Sequence, residues 1–133
     1  MIAGVGTDIA AVARLGQLYA RHGERALEKL LAPAEMADFA RASDPARFLA
    51  KRFAAKEACS KALGTGLRRG VFWRDMGVIN QRGGRPTMAL TGGALARLQE
   101  MTPAAMSPQI DLTLTDEYPM AQAIVIISAV PQT

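Results

Sequence analysis

Two acidic residues in this sequence are placed where they could bind a metal ion. Asp8 follows a glycine-rich segment, "GVGTD", and Glu57 lies in the basic, alanine-rich segment "FLAKRFAAKEACSKALGTG" (residues 48–66). Mg²⁺ needs only one or two protein carboxylates when phosphate oxygens and waters supply its other ligands. If the first strand packs against the helix that carries Glu57, the two carboxylates could hold Mg²⁺ against a phosphate-containing ligand.

Basic residues surround Glu57 and could bind the phosphates of such a ligand. Lysine and arginine hold phosphate by charge-assisted hydrogen bonds. The candidates are Arg52, Lys56, Lys61 and Arg68. The following segment, Gly64-Thr65-Gly66, would end the helix and expose backbone N–H groups near the ligand. Together these residues favour a Mg²⁺-dependent site for a ligand that contains a diphosphate.

Each carboxylate also has a simpler interpretation. Glu57 and Lys61 are four residues apart, and such a pair on a solvated helix face contributes about 0.3–0.5 kcal/mol. Asp8, at the junction of a strand and a helix, could be a helix N-cap, as could Thr7. Spacing alone leaves both interpretations open.

The length and composition predict a single domain that covers residues 1–133. The chain is long enough to bury a core without a disulfide or a structural metal, and half of its residues are hydrophobic. Its only cysteine, Cys59, excludes an internal disulfide, and the N-terminus lacks a signal-peptide pattern, so we expect a cytoplasmic protein. The apolar run at residues 123–130 is far shorter than the roughly 20 residues of a membrane span.

The net charge of +4 is concentrated in the middle of the chain. Residues 41–85 contain 11 lysines and arginines and three acidic residues, whereas both flanking parts are slightly acidic. Such a basic centre favours a phosphate-rich ligand, a nucleic acid or an acidic partner. Only 5% of the residues are aromatic, so a base-stacking nucleic-acid surface is poorly supported. We therefore expect phosphate or an acidic protein.

The elements that would position these residues follow from hydrophobic periodicity. We predict an α+β domain with the order β-α-α-α-β-β-α-β-β, in which an antiparallel sheet packs on a long helix. Glycines in the first strand mark a close approach of its backbone to another element. The predicted bounds are a strand at 2–8, helices at 8–23, 33–42 and 46–63, two strands between 70 and 90, a helix at 92–101, a loop at 102–108 and a closing hairpin at 109–130.

Five segments of the chain resemble one protein family. "GVGTDIAAVARL" (4–15) and "RFLAKRFAAKEACSKALGTGL" (47–67) are similar to the motifs of the holo-(acyl-carrier-protein) synthases, small bacterial 4′-phosphopantetheinyl transferases. The resemblance extends to "LAPAE" (31–35), "GRP" (84–86) and "DLTLTDEYPMAQAIVII" (111–127). It therefore covers nearly the whole chain, in the right order.

The resemblance implies an enzyme of fatty acid biosynthesis. Such enzymes move the phosphopantetheine arm of coenzyme A onto a serine of apo acyl carrier protein and release adenosine 3′,5′-bisphosphate. Asp8 and Glu57 would hold Mg²⁺ against the diphosphate, and Lys61 would contact it. The carrier protein supplies the attacking serine, so the chain needs no nucleophile of its own. Either Glu57 or a metal-bound water would accept the serine proton.

The resemblance also implies binding surfaces and an assembly. Arg14 and Arg21 on the first helix would meet the acidic helix of the carrier protein. Bacterial members of the family are homotrimers with active sites at subunit interfaces, and no contact with nucleic acid or membrane is expected. The residues that we predict to bind coenzyme A are Arg52, Lys56, Ser60, Lys61, Gly64, Thr65, Arg85 and Pro86.

Three positions depart from the pattern of the family. Asp111 stands where many relatives have a histidine that binds the adenine end of coenzyme A. Ala32 replaces a Ser or Thr that caps a helix, and Arg85 replaces a lysine in the turn before Pro86. None of these changes involves the two carboxylates.

Two other functions are compatible with the residues alone. A non-catalytic basic module could dock on an acidic protein or on RNA, and it would not depend on Asp8 or Glu57. A Mg²⁺-dependent nucleotide hydrolase could use the same two carboxylates. We interpret His22 as a solvated helix residue, Cys59 as a packing residue and Trp73 as part of the core or of a subunit interface.

Overall fold

The computed structural model of the chain describes residues 1–132 and confirms the predicted α+β class. None of the helices in this range has both the length and the apolar character that a bilayer crossing requires. In chain order the elements are β1 (Ile2–Ala11), α1 (Val12–His22), α2 (Glu24–Leu30), α3 (Pro33–Ala40), α4 (Pro45–Ala62), a 3₁₀ helix (Trp73–Asp75), β2 (Met76–Asn80), β3 (Pro86–Leu90), α5 (Gly92–Glu100), β4 (Met106–Glu117) and β5 (Met120–Pro131).

The larger sheet has three strands, with β5 at its centre between β1 and β4, and both strand pairs are antiparallel. Helix α4 packs against β1 and β5, as predicted for the long helix, and β2 and β3 form a separate hairpin. Alternate residues of β5 face the core because side chains on a strand point to opposite faces. The buried residues of β5 are Ala121, Ala123, Val125, Ile127 and Ala129.

Strand β1 lies so close to α4 that two of its positions have no room for a side chain. A Cβ atom at Gly4 would overlap the carbonyl oxygen of Ala62, and one at Gly6 would overlap that of Ala58. This confirms the close approach that the glycines predicted. The contact brings Asp8, two residues after Gly6, alongside the C-terminal part of α4.

The pairing of β1 with β5 is regular from Gly4 onward and irregular before it. The register shifts between Ile2 and Gly4, whereas each later residue has its partner in sequence. Asp8 lies opposite Ala123 in this regular part.

The start of α1 differs from the prediction. Thr7 and Asp8 were candidates for its N-cap, but both lie within β1, and the N-cap residue Ala11 makes no side-chain capping bond. The N-cap interpretation of Thr7 and Asp8 is therefore wrong. The strand continues to Ala11 because β5 is long enough to pair with it throughout, and this long-range pairing prevails over local helical spacing.

Three other boundaries also differ. Helix α2 was not predicted, although Ala26, Leu27 and Leu30 are buried at helical spacing. The strand expected from residue 70 begins only at Met76, after the 3₁₀ helix, and β4 begins at Met106 inside the expected loop. Helix α2 and the 3₁₀ helix are short and carry few residues from which a period can be read.

We predict that Gly6→Ala destabilises the protein by about 2–3 kcal/mol, because the added methyl group meets backbone rather than a movable side chain. Urea unfolding monitored by circular dichroism measures the loss. Gly16→Ala is the control and should cost much less, because its Cβ would meet the Cβ of Ala46 at 3.2 Å rather than backbone, and alanine favours a helix. Equal stability of the Gly6 variant and the wild type would show that β1 can move away from α4 freely.

Candidate active site

Asp8 and Lys61 form an ion pair between β1 and α4. Lys61 Nζ lies 3.0 Å from Asp8 Oδ1 and also donates to the backbone carbonyl of Thr7 at 3.0 Å. The side chain of Asp8 is 17% exposed and that of Lys61 is 56% exposed. The pair joins residues 53 positions apart and follows from the close packing of β1 on α4.

Glu57 lies one turn before Lys61 on the same face of α4. Its Oε2 accepts a hydrogen bond from the indole Nε1 of Trp73 at 3.3 Å. Lys61 is therefore beside Asp8 in space and one helical turn from Glu57. The structure thus links the strand carboxylate to the helix face that carries the second carboxylate.

A cavity of about 750 Å³ opens beside Glu57, between α1, α2 and α4. The guanidinium of Arg14 lies 5.3 Å from the centre of the Phe53 ring, and the ring centres of Phe53 and Trp73 are 5.8 Å apart. Cations next to apolar walls suit an anionic group that is attached to a less polar chain. The charged residues that line the cavity with Glu57 are Arg14, Arg25, Glu28, Lys29 and Arg74.

Asp8 and Glu57 fit a hard divalent cation such as Mg²⁺. Within residues 1–132, one oxygen of each carboxylate, Asp8 Oδ2 and Glu57 Oε1, accepts no hydrogen bond. The same residues contain no group of three or more His, Cys, Asp and Glu placed to hold a metal. Further ligands would have to be phosphate oxygens and waters, which is typical of Mg²⁺ sites.

Lys56 does not face a ligand. It is fully buried, and its ammonium donates to Glu35 Oε1 at 2.6 Å and to the carbonyls of Met76 at 2.8 Å and Trp73 at 3.1 Å. Burial lowers the pKa of Lys56, and the carboxylate of Glu35 opposes this effect. The prediction that Lys56 binds coenzyme A is wrong, because all three of its N–H donors hold other elements of the fold against α4.

Glu35, which is also fully buried, accepts further bonds from the backbone N–H groups of Ala32 at 2.9 Å and Val78 at 3.1 Å. Arg52 Nε lies 3.3 Å from Glu35 Oε2, but its N–H is not aimed at this oxygen and has no partner within residues 1–132. Burial lowers the pKa of Arg52, whose guanidinium lies 4.5 Å from the ring centre of Phe48. Only 15% of the Arg52 side chain is exposed, and its contact with coenzyme A stays a prediction.

The side chains of Ser60 and Thr65 are also buried, and their hydroxyl groups bond to nearby backbone carbonyls. The buried hydroxyl of Ser60 donates to the carbonyl of Glu57 at 2.8 Å, so the prediction that this residue offers its side chain to coenzyme A is wrong. The Thr65 hydroxyl donates to the carbonyl of Gly66 at 2.9 Å. Cys59 is completely buried, and burial raises the pKa of its thiol to about 12, in agreement with a packing role.

The glycines after α4 end the helix as predicted, with φ angles of 79° at Gly64 and 61° at Gly66. Their N–H groups donate to the carbonyls of Lys61 at 3.0 Å and Ser60 at 3.1 Å. The expectation of N–H groups that are free for a ligand is therefore wrong for Gly64 and Gly66, since both complete the hydrogen bonding of the helix end.

Arg85 lies at a second cavity, of about 580 Å³, which it lines with Asp111. Arg85 Nη2 is 3.9 Å from Asp111 Oδ1, and Pro86 begins β3. This cavity shares no lining residue with the cavity beside Glu57. Within one chain, the residues predicted to bind coenzyme A therefore lie in two separate regions, one on α4 and one at the second cavity.

Both arginines that were predicted to bind the carrier protein are exposed on α1, and Arg14 lines the cavity beside Glu57. Arg25, Lys29 and Trp73 reach the same cavity but were not identified from the sequence. The apolar spacing of α2 was the available signal for the first two. No local signal pointed to Trp73, because its contact with Glu57 is set by tertiary packing.

Comparison with known proteins gives a consistent result for nearly the whole chain. The family model described as the 4′-phosphopantetheinyl transferase superfamily matches residues 4–123. The holo-(acyl-carrier-protein) synthase of Rhodopseudomonas palustris (strain HaA2) is 57% identical over 98% of this chain and 96% of its own length.

Solved structures agree with the sequence matches. The crystal structure of holo-(acyl-carrier-protein) synthase from Neisseria meningitidis aligns with a TM-score of 0.83 and 36% identity, and the alignment covers 96% of this chain and 99% of that one. A holo-(acyl-carrier-protein) synthase from Bacillus anthracis, crystallised in complex with coenzyme A (3′,5′-ADP), aligns with a TM-score of 0.74 and 27% identity over 98% of each chain.

Proposed function

Since the chain belongs to the 4′-phosphopantetheinyl transferase superfamily, as one of its holo-(acyl-carrier-protein) synthases, we propose that it uses Mg²⁺ to transfer the phosphopantetheine arm of coenzyme A to a serine of apo acyl carrier protein in fatty acid biosynthesis. Adenosine 3′,5′-bisphosphate would be the second product. The observation that carries the proposal is the contact of Lys61 with Asp8, one helical turn from Glu57. The family assignment favours this function over the two alternatives that the residues alone left open, a non-catalytic basic module and a nucleotide hydrolase.

In this proposal each polar residue of the site has a separate task. Asp8 and Glu57 would hold Mg²⁺, which would neutralise charge on the diphosphate when bound. Lys61 places a further positive charge beside Asp8, where it would stabilise the leaving phosphate. The proton of the attacking serine passes either to Glu57 or to a water molecule.

The remaining predicted residues would bind coenzyme A from neighbouring chains. Arg52, Gly64 and Thr65 belong to the side of α4, whereas Arg85 lines the second cavity and Pro86 follows it at the start of β3. The separation of the two cavities supports an arrangement in which one chain supplies Glu57 and its neighbour supplies Arg85.

An apolar outer face of the sheet supports self-association as a homotrimer. Val5 and Ile9 of β1 and Ile124 of β5 are exposed on the side of the sheet that faces away from α4. Burial of such residues between chains would be favourable. Sedimentation equilibrium should give the mass of three chains, and the mass of one chain would contradict this part of the proposal.

We propose that residues 1–133 form one transferase domain. The family match over residues 4–123 and the continuous core of α1, α4 and the sheet support it. A cytoplasmic location stays a prediction from the sequence.

The proposed reaction is tested by incubating the protein with coenzyme A, Mg²⁺ and apo acyl carrier protein. Intact-mass spectrometry should show that the carrier gains the mass of one phosphopantetheine group, and that chelation of Mg²⁺ prevents the gain. No gain with any of several apo carriers would contradict the proposed function.

We predict that Arg14→Glu raises the apparent KM for the carrier by roughly tenfold, because a charge at the rim of a binding surface governs encounter with an acidic partner. The KM for coenzyme A should change much less. Arg41→Glu is the control, because Arg41 is an exposed arginine that pairs only with the nearby Asp38 among the described residues. Equal effects of the two substitutions would show that α1 is an ordinary solvated face.

A further inference from the structure

We propose that Trp73 is a positioning residue for Glu57. Its indole N–H would hold one oxygen of the Glu57 carboxylate and so leave the other, Oε1, free and oriented for the metal. This inference rests on the proposed function, because it assumes that Glu57 holds Mg²⁺. It adds a residue that lies outside α4 and outside the motifs that carried the family resemblance.

The contact itself is between a donor and a charged acceptor. Trp73 Nε1 lies 3.3 Å from Glu57 Oε2, and the two residues are 16 positions apart. Hydrogen bonds to carboxylates are stronger than those between neutral groups. A second hydrogen bond to a metal-binding carboxylate commonly fixes its orientation and contributes to metal affinity. The indole N–H is suited to this role because it can only donate, and a carboxylate oxygen can only accept.

The ring of Trp73 is held from one side by packing. Its centre lies 5.8 Å from that of Phe53, with an angle of 46° between the ring planes. Phe53 is on α4, one turn before Glu57. The indole therefore packs on the same helix face to which it donates its hydrogen bond, which restricts its rotation.

The backbone of Trp73 is held by buried charges. Lys56, the residue directly before Glu57, donates to the carbonyl of Trp73 at 3.1 Å and to that of Met76 at 2.8 Å. Glu35 anchors the ammonium of Lys56 at 2.6 Å. Lys56 thus fixes the backbone of the 3₁₀ helix, and the next residue of α4, Glu57, accepts the hydrogen bond from the Trp73 side chain. Together these contacts set the position of the Glu57 carboxylate.

A packing role and a positioning role predict different results for Trp73→Phe. Phenylalanine keeps an aromatic ring against Phe53 but cannot donate a hydrogen bond. If the N–H positions Glu57, the variant should lose metal affinity while it keeps its stability. If only the ring matters, metal affinity should be unchanged.

The first test measures metal binding directly. With coenzyme A present, we expect Trp73→Phe to bind Mn²⁺ about tenfold more weakly than the wild type, as followed by the electron paramagnetic resonance signal of free Mn²⁺. The Mg²⁺ concentration for half-maximal transfer should rise by a similar factor, and kcat at saturating Mg²⁺ should stay close to that of the wild type. Phe72→Leu, at an exposed neighbouring aromatic residue, is the control and should change neither value. Thermal unfolding of each variant checks the fold.

The second test needs no change at Trp73. Trp73 is the only tryptophan of the chain, so the intrinsic tryptophan fluorescence reports on its surroundings alone. Addition of Mg²⁺ in the presence of coenzyme A should shift the emission of the wild type and should leave that of Glu57→Gln unchanged.

The outcomes separate this inference from the proposed function. Only the role of Trp73 is overturned under three joint conditions. These are that the wild type transfers the arm, that Glu57→Gln is inactive, and that the folded Trp73→Phe variant binds Mn²⁺ like the wild type. An emission that does not respond to Mg²⁺ overturns it as well. If the wild type shows no Mg²⁺-dependent transfer, the proposed function fails and the role of Trp73 fails with it.

Discussion

Glu57→Gln is expected to lower the rate of phosphopantetheine transfer by about a thousandfold or more and to leave the fold intact. The substitution removes a metal-binding charge, and the stabilisation that a bound metal gives to the transition state is worth several kcal/mol, with about 1.4 kcal/mol for each factor of ten in rate. Glutamine has nearly the same volume, and its amide oxygen can still accept the N–H of Trp73. Initial rates measured by intact-mass spectrometry of the carrier, at saturating Mg²⁺, provide the comparison.

Glu28→Gln is a matched control for this loss. Glu28 lines the same cavity as Glu57 and is exposed, but it lies on α2, away from Asp8 and Lys61. Its substitution changes the charge of the cavity equally and should alter the rate only slightly. If the two variants had similar rates, the effect would come from the overall charge of the cavity, and Glu57 would have no special role.

Lys56→Met is expected to destabilise the protein by about 3–5 kcal/mol, because it leaves the carboxylate of Glu35 buried without its main partner. The carbonyls of Trp73 and Met76 lose their donor at the same time. The free energy of unfolding, obtained from urea denaturation, measures this loss.

Lys51→Met tests whether burial causes the effect. Lys51 is also on α4, but it is 34% exposed and lies 3.6 Å from Asp116, so its removal should cost less than about 1 kcal/mol. The double variant Glu35→Gln/Lys56→Met removes both charges of the buried pair and should be more stable than Lys56→Met alone. Similar losses for Lys51→Met and Lys56→Met would refute a stabilising role of the buried pair.

The parts of the fold that were predictable are those with a strong local pattern. The 18-residue helix α4 and the long strands β4 and β5 each contain enough residues to show their period. The end of β1 was not predictable in this way. Ile9, Val12 and Leu15 have helical spacing, and only pairing with the distant β5 shows that residues 8–11 are extended.

The candidate site was predictable where it depends on spacing within one helix. Glu57 and Lys61 share a face of α4 by their separation alone. The burial of Lys56 was not evident, since a lysine in a basic segment resembles a solvated residue and its partner Glu35 is 21 positions away. The contact of Trp73 with Glu57 likewise depends on how the 3₁₀ helix is anchored, which the local sequence does not specify.

The irregular pairing at the beginning of β1 has a consequence for changes in chain length. Because neighbouring strand residues point to opposite faces, one inserted residue between Gly4 and Asp8 would turn the Asp8 carboxylate away from Lys61. An extra or missing residue before Gly4 falls where the pairing already shifts, and the bulge there can absorb it. A fusion partner or an affinity tag ahead of Met1 should therefore leave the acidic residue of β1 in place, whereas the four residues before Asp8 tolerate no insertion.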